Sequence, residues 1–198
     1  MYGISISQAA TIAKTHFLIT GDVCLLDGDE DFNFKITTPT TSYVLKIATT
    51  NLQSLETQNN VLHFLSQKEL PLTIPRVLPN NKGEKYTSIT IGTTQYYVRL
   101  ITFVQGRLWA KVNPKTSVLR HDLGYKAGAI TKALLDFTPW SSPSDSHWDL
   151  ANASWSFEQT ALFKGEKRAL ITRFQSLFKA IESCHKTLPK STVHADVN

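Results

Sequence analysis

Lys46 sits in Ser42-Tyr43-Val44-Leu45-Lys46-Ile47-Ala48, a stretch that alternates like a strand. Tyr43, Leu45 and Ile47 fall on one face of it, Val44 and Lys46 on the other. The lysine follows Gly28 by 18 residues, and a helical segment bearing Glu56 comes directly after. In that order, backbone N–H groups of a turn can cover phosphates while an ammonium from the third strand reaches them. A carboxylate on the next helix can then hold the ammonium in place. The plainer reading is a snorkelling lysine on a sheet surface. The turn itself, Asp27-Gly28-Asp29-Glu30-Asp31, has one glycine among four acids. It is no Walker loop, and an acidic hairpin tip accounts for it equally well.

The second cluster ends the chain: Thr192-Val193-His194-Ala195-Asp196-Val197-Asn198. A short β-prone run leads into His-x-Asp-x-Asn after a helix stop at Leu188-Pro189. An Asp presented this way can accept a hydroxyl proton, and amides or carboxylates beside it can bind Mg²⁺. A polar terminus is the alternative.

The elements that must position these residues divide the chain in two. Thr15–Cys24 and Asp31–Thr37 are rich in Phe, Ile, Val and Thr and read as strands around a turn at Leu26-Asp27-Gly28-Asp29. Thr38-Pro39-Thr40-Thr41 turns the chain into the strand carrying Lys46. Asn51 is an N-cap for a helix with Leu52, Leu55, Leu62 and Leu65 at helical spacing, ended by Pro71 and Pro75. Strands at Lys85–Ile91 and Thr94–Val104 follow, joined at Gly92-Thr93. Beyond Asn113 the period changes. Leu119, Leu123, Ala127, Ile130, Leu134 and Phe137 mark an amphipathic helix. Pro139–Asp149 reads as a loop, and Leu170, Phe174, Leu177, Ile181, Cys184 and Leu188 mark a last long helix. The sequence thus predicts an α+β chain with an antiparallel sheet and one helix in a small N-terminal lobe (residues 1–101). A connector (102–106) leads to a partial helical C-terminal lobe (107–198).

Composition narrows the class. The 198 residues are 41% apolar and 19% charged, which fits a folded chain rather than a disordered one. Two cysteines, Cys24 and Cys184, are too few for a disulfide framework. No apolar run reaches the ~18–20 residues that span a bilayer, and Met1–Lys14 lacks a signal-peptide core. A cytoplasmic protein without a membrane partner is expected. The net charge of +5 is spread out. Its tightest cluster, Lys164 to Arg168, reads as the solvated start of a helix rather than a nucleic-acid surface.

Five segments in order resemble the aminoglycoside phosphotransferase and choline kinase family. They are the Gly28 turn, Tyr43-Val44-Leu45-Lys46-Ile47, the Glu56 helix, Val98-Arg99-Leu100-Ile101-Thr102-Phe103-Val104-Gln105-Gly106, and His194-Ala195-Asp196. Asp29-Glu30-Asp31-Phe32-Asn33-Phe34 and Trp148-Asp149-Leu150 look most like its hydroxylysine kinase and aminotransferase-fused branch. The resemblance implies a protein-kinase-like fold and phosphorylation of small molecules. It implies that Lys46 binds the α- and β-phosphates, that backbone in Leu100, Ile101, Thr102 and Phe103 meets the nucleobase, and that Asp196 is the catalytic base, supported by His194. The family's helix Glu falls in register on Gln58. Glu56, two residues earlier, is taken as the lysine's partner because only a carboxylate supplies charge. Ala195 stands where the family has Gly. The loop's Asn would fall at about position 201 by the motif's spacing, with a second metal-binding Asp further on.

Three readings follow. The first is a phosphotransferase region that uses Mg-ATP, or GTP, to phosphorylate a hydroxyl of a small amine or amino acid. On that reading the 198-residue chain alone is expected to be close to inactive, because metal neutralisation dominates phosphoryl transfer. Asp145 and Asp149 are its candidates for meeting an acceptor amine, or are helix caps. The second reading is a non-catalytic nucleotide- or partner-binding module. The third is an α+β domain in which Lys46 and Asp196 are surface groups. The helices around Leu123 and Phe174 are expected to expose apolar faces and to promote self-association.

Overall fold

The computed structural model describes residues 3–28, 31–138 and 150–194. They fall into two compact units, one drawn from Met1–Pro139 with Thr192–Asn198, the other from Trp140–Ser191. The α+β class is borne out, with an antiparallel sheet and packed helices.

The first unit opens with a helix that the sequence reading did not anticipate. Ser5 caps α1 (Ile6–Phe17): its Oγ accepts from the Gln8 N–H at 3.2 Å, and the Gln8 Oε1 accepts from the Ser5 N–H at 2.9 Å. This reciprocal box satisfies two otherwise orphaned donors. Ala9, Ile12, Ala13 and Phe17 then bury one helical face. The expected strand at Thr15–Cys24 is therefore corrected. Thr15 to Phe17 finish the helix, and β1 begins at Asp22. The first unit accordingly carries a helix before its sheet as well as one within it.

Strands β1 (Asp22–Leu26), β2 (Phe32–Thr37) and β3 (Ser42–Ala48) form the expected meander. Asn51 caps α2 (Leu52–Ser66) through a 2.7 Å bond from the Ser54 N–H to its Oδ1. Two short segments follow, β4 (Val77–Leu78) and β5 (Thr87–Ile91), before β6 (Thr94–Thr102). The β5–β6 turn holds Gly92 at φ 62°, a left-handed conformation that glycine adopts without Cβ strain. Strand β6 pairs with β3, β4 and β5, giving the order β1-β2-β3-β6-β4.

Alternation divides the sheet into two faces. Phe34, Ile36, Leu45, Ile47, Val98 and Leu100 are fully buried on one, packed against Ile12, Ala13 and Phe17 of α1. A second core joins Leu65 of α2 to Ile130 and Leu134 of α3 (Ser117–Leu134), with Phe64 and Phe137 rings 5.3 Å apart. In the second unit a 3₁₀ run (Leu150–Leu162) packs on α4 (Gly165–Thr187). Gln175 Nε2 donates to Thr160 Oγ1 at 2.6 Å, and Phe157 meets Phe178 edge to face.

Candidate functional site

The sheet face opposite α1 carries the polar groups. Its register sets Asn33 of β2 opposite Lys46 of β3, and Lys46 opposite Arg99 of β6. Lys46 Nζ donates to Asn33 Oδ1 at 2.7 Å and pairs with Asp31 Oδ2 at 3.0 Å. Val44 and Ile101, also a register pair, sit one step along on the same face and are half-buried. Leu26 and Lys35 extend it toward β1, and Lys35 Nζ lies 4.3 Å above the Phe103 ring. The row Lys35–Val44–Ile101 is mostly apolar and carries one cation, while the adjacent row Asn33–Lys46–Arg99 carries two, a surface that can take a planar base beside an anionic tail.

Gly28 contributes space. A Cβ there would lie 2.3 Å from Asn33 Nδ2 and 2.8 Å from the Asp31 carbonyl oxygen, so only glycine leaves room for the Asn33 side chain. Asn33 Nδ2 in turn donates to that Asp31 carbonyl at 3.3 Å.

Glu56 does not hold Lys46. Glu56 is exposed and lines an open pocket of about 320 Å³ with Asn59, Asn60, Lys85 and Tyr86. Burial first, then the charges of Glu56, Tyr97 and Glu84, raises the Tyr86 hydroxyl above its ordinary range. The residues of α2 turned to the sheet are Gln58 and Asn59, and they bind Arg99 rather than Lys46. Arg99 Nη1 donates to Asn59 Oδ1 at 2.8 Å, and Nη2 donates to Gln58 Oε1. Residues two apart on a helix point about 200° apart, so Glu56 and Gln58 cannot both face the sheet.

The backbone after Arg99 is mostly committed. Leu100 is buried on the α1 face and pairs with Leu78, and Ile101 pairs with Val77. Thr102 donates its N–H to the Arg76 carbonyl at 2.9 Å, while its Oγ1 accepts from the Arg76 N–H at 2.9 Å. Phe103 donates its N–H to the Ser42 carbonyl at 3.1 Å. His194 is exposed and belongs to the same compact unit as Lys46. Asp196, Asp145 and Asp149 lie outside the described residues. Among the described residues no three His, Cys, Asp or Glu side chains gather to hold a metal ion. None of the described helices is long and apolar enough to cross a membrane.

Sequence reasoning gave no role to Asp31, Asn33 or Arg99. A signal for each was present: Asp31 and Asn33 are polar residues that flank Phe32 at the start of an apolar strand, and Arg99 interrupts the apolar run Val98-Arg99-Leu100-Ile101.

The sequence profile of the phosphotransferase enzyme family, APH, matches residues 22–198. The chain belongs to that family. A comparison with curated proteins finds no match. Among solved structures, this phosphotransferase-family chain is similar to a microcompartment-associated aminopropanol kinase. The TM-score is 0.77 at 17% identity, over 98% of this chain and 63% of that one. It is also similar to an amicoumacin kinase in complex with AMP-PNP and Ca²⁺ (TM-score 0.67, 12% identity, 94% and 55% covered). A spectinomycin phosphotransferase in complex with ADP and spectinomycin gives 0.55 at 14%, with 96% and 60% covered. These likenesses establish the protein-kinase-like fold. The chain thus spans less than two thirds of the length of each of these structures.

Proposed function

We propose that this chain is the nucleotide-binding part of a small-molecule kinase. It would use Mg-ATP, with GTP as the alternative donor, to phosphorylate a hydroxyl of a small amine or amino acid. The observation that carries this reading is the row Asn33–Lys46–Arg99 on a half-apolar sheet face, in a family of phosphotransferases. Similar structures bind AMP-PNP or ADP, and the aminopropanol kinase acts on a small hydroxylated amine.

In this reading Lys46 leaves Asp31 to meet the α- and β-phosphates, with Asn33 keeping its ammonium on the sheet face. The base lies toward Val44 and Ile101. Because the Thr102 and Phe103 N–H groups are already bonded, the base would be read by backbone beyond them, at Val104 and Gln105. The acceptor oxygen attacks the γ-phosphorus, the bond from that phosphorus to the β,γ-bridging oxygen breaks, and the hydroxyl proton passes to the Asp196 carboxylate. His194 supports the loop that holds Asp196. Bound Mg²⁺ would neutralise charge on the transferring group, and no ligand to it is assigned among the described residues.

Thermal melting of the chain with Mg-ATP tests the reading. At 100 times Kd a bound nucleotide raises stability by about 2.7 kcal/mol. The rise should disappear in Lys46→Met. An unaltered chain whose melting temperature does not respond to ATP or GTP overturns the proposal. Binding without turnover, measured on the full-length protein, would leave a nucleotide-binding module in place of an enzyme.

A further inference from the structure

We infer that Arg99 is a positioning residue for the nucleotide phosphates, tying α2 to the sheet and leaving an uncancelled positive charge beside Lys46. This inference rests on the nucleotide reading above and concerns how the phosphate end of that site is built.

The charge balance is unusual. Residues directly opposite on antiparallel strands have Cβ atoms about 5 Å apart, and like charges so placed repel. Lys46 and Arg99 are such a pair. Lys46 has a carboxylate of its own in Asp31. Arg99, only 5% exposed, has none in contact among the described residues, and its fork ends on the amide oxygens of Gln58 and Asn59. Burial lowers its pKa, with Asp31 acting through space in the opposite direction. A guanidinium nevertheless stays charged at any ordinary pH. A sheet built for stability alone would place a carboxylate against that fork, because a buried charge is costly unless it is paired.

Asn59 sharpens the point. Its side chain is 2% exposed and its Oδ1 is taken by Arg99, while its Nδ2 has no hydrogen-bond partner among the described residues. An aspartate of the same shape would remove the orphaned donor and pair the guanidinium in a single change. The neutral amide therefore gives up stability and keeps the positive field. An anion on this face is the group that gains from that trade. The same fork joins two successive residues of α2 to one planar group, so the helix's rotation about its axis is set by Arg99. Among the described residues, Asp31 and Asn33 are the partners that Lys46 exchanges when phosphate arrives.

The test is the charge-installing variant Asn59→Asp, supported by Gln58→Glu. Each should melt at or above the temperature of the unaltered chain. Each should bind ATP about tenfold more weakly, about 1.4 kcal/mol, with affinity for adenosine unchanged. A purely structural role for the clamp cannot move stability and phosphate affinity in opposite directions. Arg99→Lys, which keeps the charge but loses the fork, should retain more ATP affinity than Arg99→Met. If Asn59→Asp and Gln58→Glu bind ATP as tightly as the unaltered chain, or weaken ATP and adenosine alike, the inference fails. Loss of ATP binding in Lys46→Met under those outcomes keeps the nucleotide reading and discards only the role of Arg99. An unaltered chain that binds neither ligand discards both.

Discussion

Gly28 and Asn33 share one space: a Cβ on the first would lie 2.3 Å from Nδ2 of the second. The glycine of the acidic turn thereby sets the position of the amide that accepts from Lys46 at 2.7 Å.

Gly28→Ala should therefore displace Asn33 and cost about 1–3 kcal/mol, the range for inserting a methyl group into filled space. Chemical denaturation measures the loss. Adding Asn33→Ala to it should recover part of the stability, because the clashing side chain is gone while the 2.8 Å approach to the Asp31 carbonyl oxygen remains, without restoring ATP affinity. A double variant no more stable than Gly28→Ala would show that the contact is not the cause.

Asp31 and a phosphate compete for the same ammonium. The Lys46–Asp31 pair is about a quarter exposed on each side (22% and 25%), so solvent screens it and Asp31→Asn should cost no more than about 1 kcal/mol. The same substitution should tighten ATP binding, since Lys46 no longer has to leave a carboxylate. Isothermal titration at two salt concentrations checks both parts, because the gain should shrink as ionic strength rises. Weaker ATP binding in Asp31→Asn would instead make Asp31 part of the binding apparatus.

Tyr86 makes alkaline stability sensitive to one phenol. Burial and the nearby carboxylates raise its pKa in the folded chain above the ordinary 10.0. The folded state therefore keeps a proton that the unfolded chain has released. This contribution is complete below about pH 10 and is lost as pH rises through the folded-state value. Tyr86→Phe should flatten the fall of melting temperature above pH 10 and leave the neutral range unchanged. An identical alkaline slope in the variant would assign the titration elsewhere.

Leu170, Phe174, Leu177 and Ile181 of α4 form a stripe that is 53–62% exposed. Their spacing of four, three and four residues keeps them on one side of the helix. Such a stripe should make the isolated chain associate and bind an apolar dye. Light scattering should report species larger than the monomer, reverting toward it in the Phe174→Glu, Ile181→Lys double variant. A strictly monomeric unaltered chain would count against adhesion through this stripe.

Much of this fold was legible along the chain because the deciding interactions are local. Alternation in Ser42–Ala48 placed Lys46 on the face opposite Leu45 and Ile47, and Asn51 began α2 where a cap was expected. The capping pair Ser5 and Gln8 was also readable, although the β-prone residues near Phe17 argued for a strand and were outweighed by the buried helical face of α1. The partners of Lys46 were not readable in this way. An apolar stripe fixes a helix's rotation only to within a residue or so, and that margin separates Glu56 facing solvent from Gln58 facing Arg99. Sequence alone determined the meander, α2, α3 and α4, but not α1, and that Lys46 lies in a strand. The tertiary structure decided that Asp31 and Asn33 hold Lys46 and that Arg99 holds α2. Cross-strand register brings Lys46 and Arg99 together from 53 residues apart, and no local periodicity carries that register.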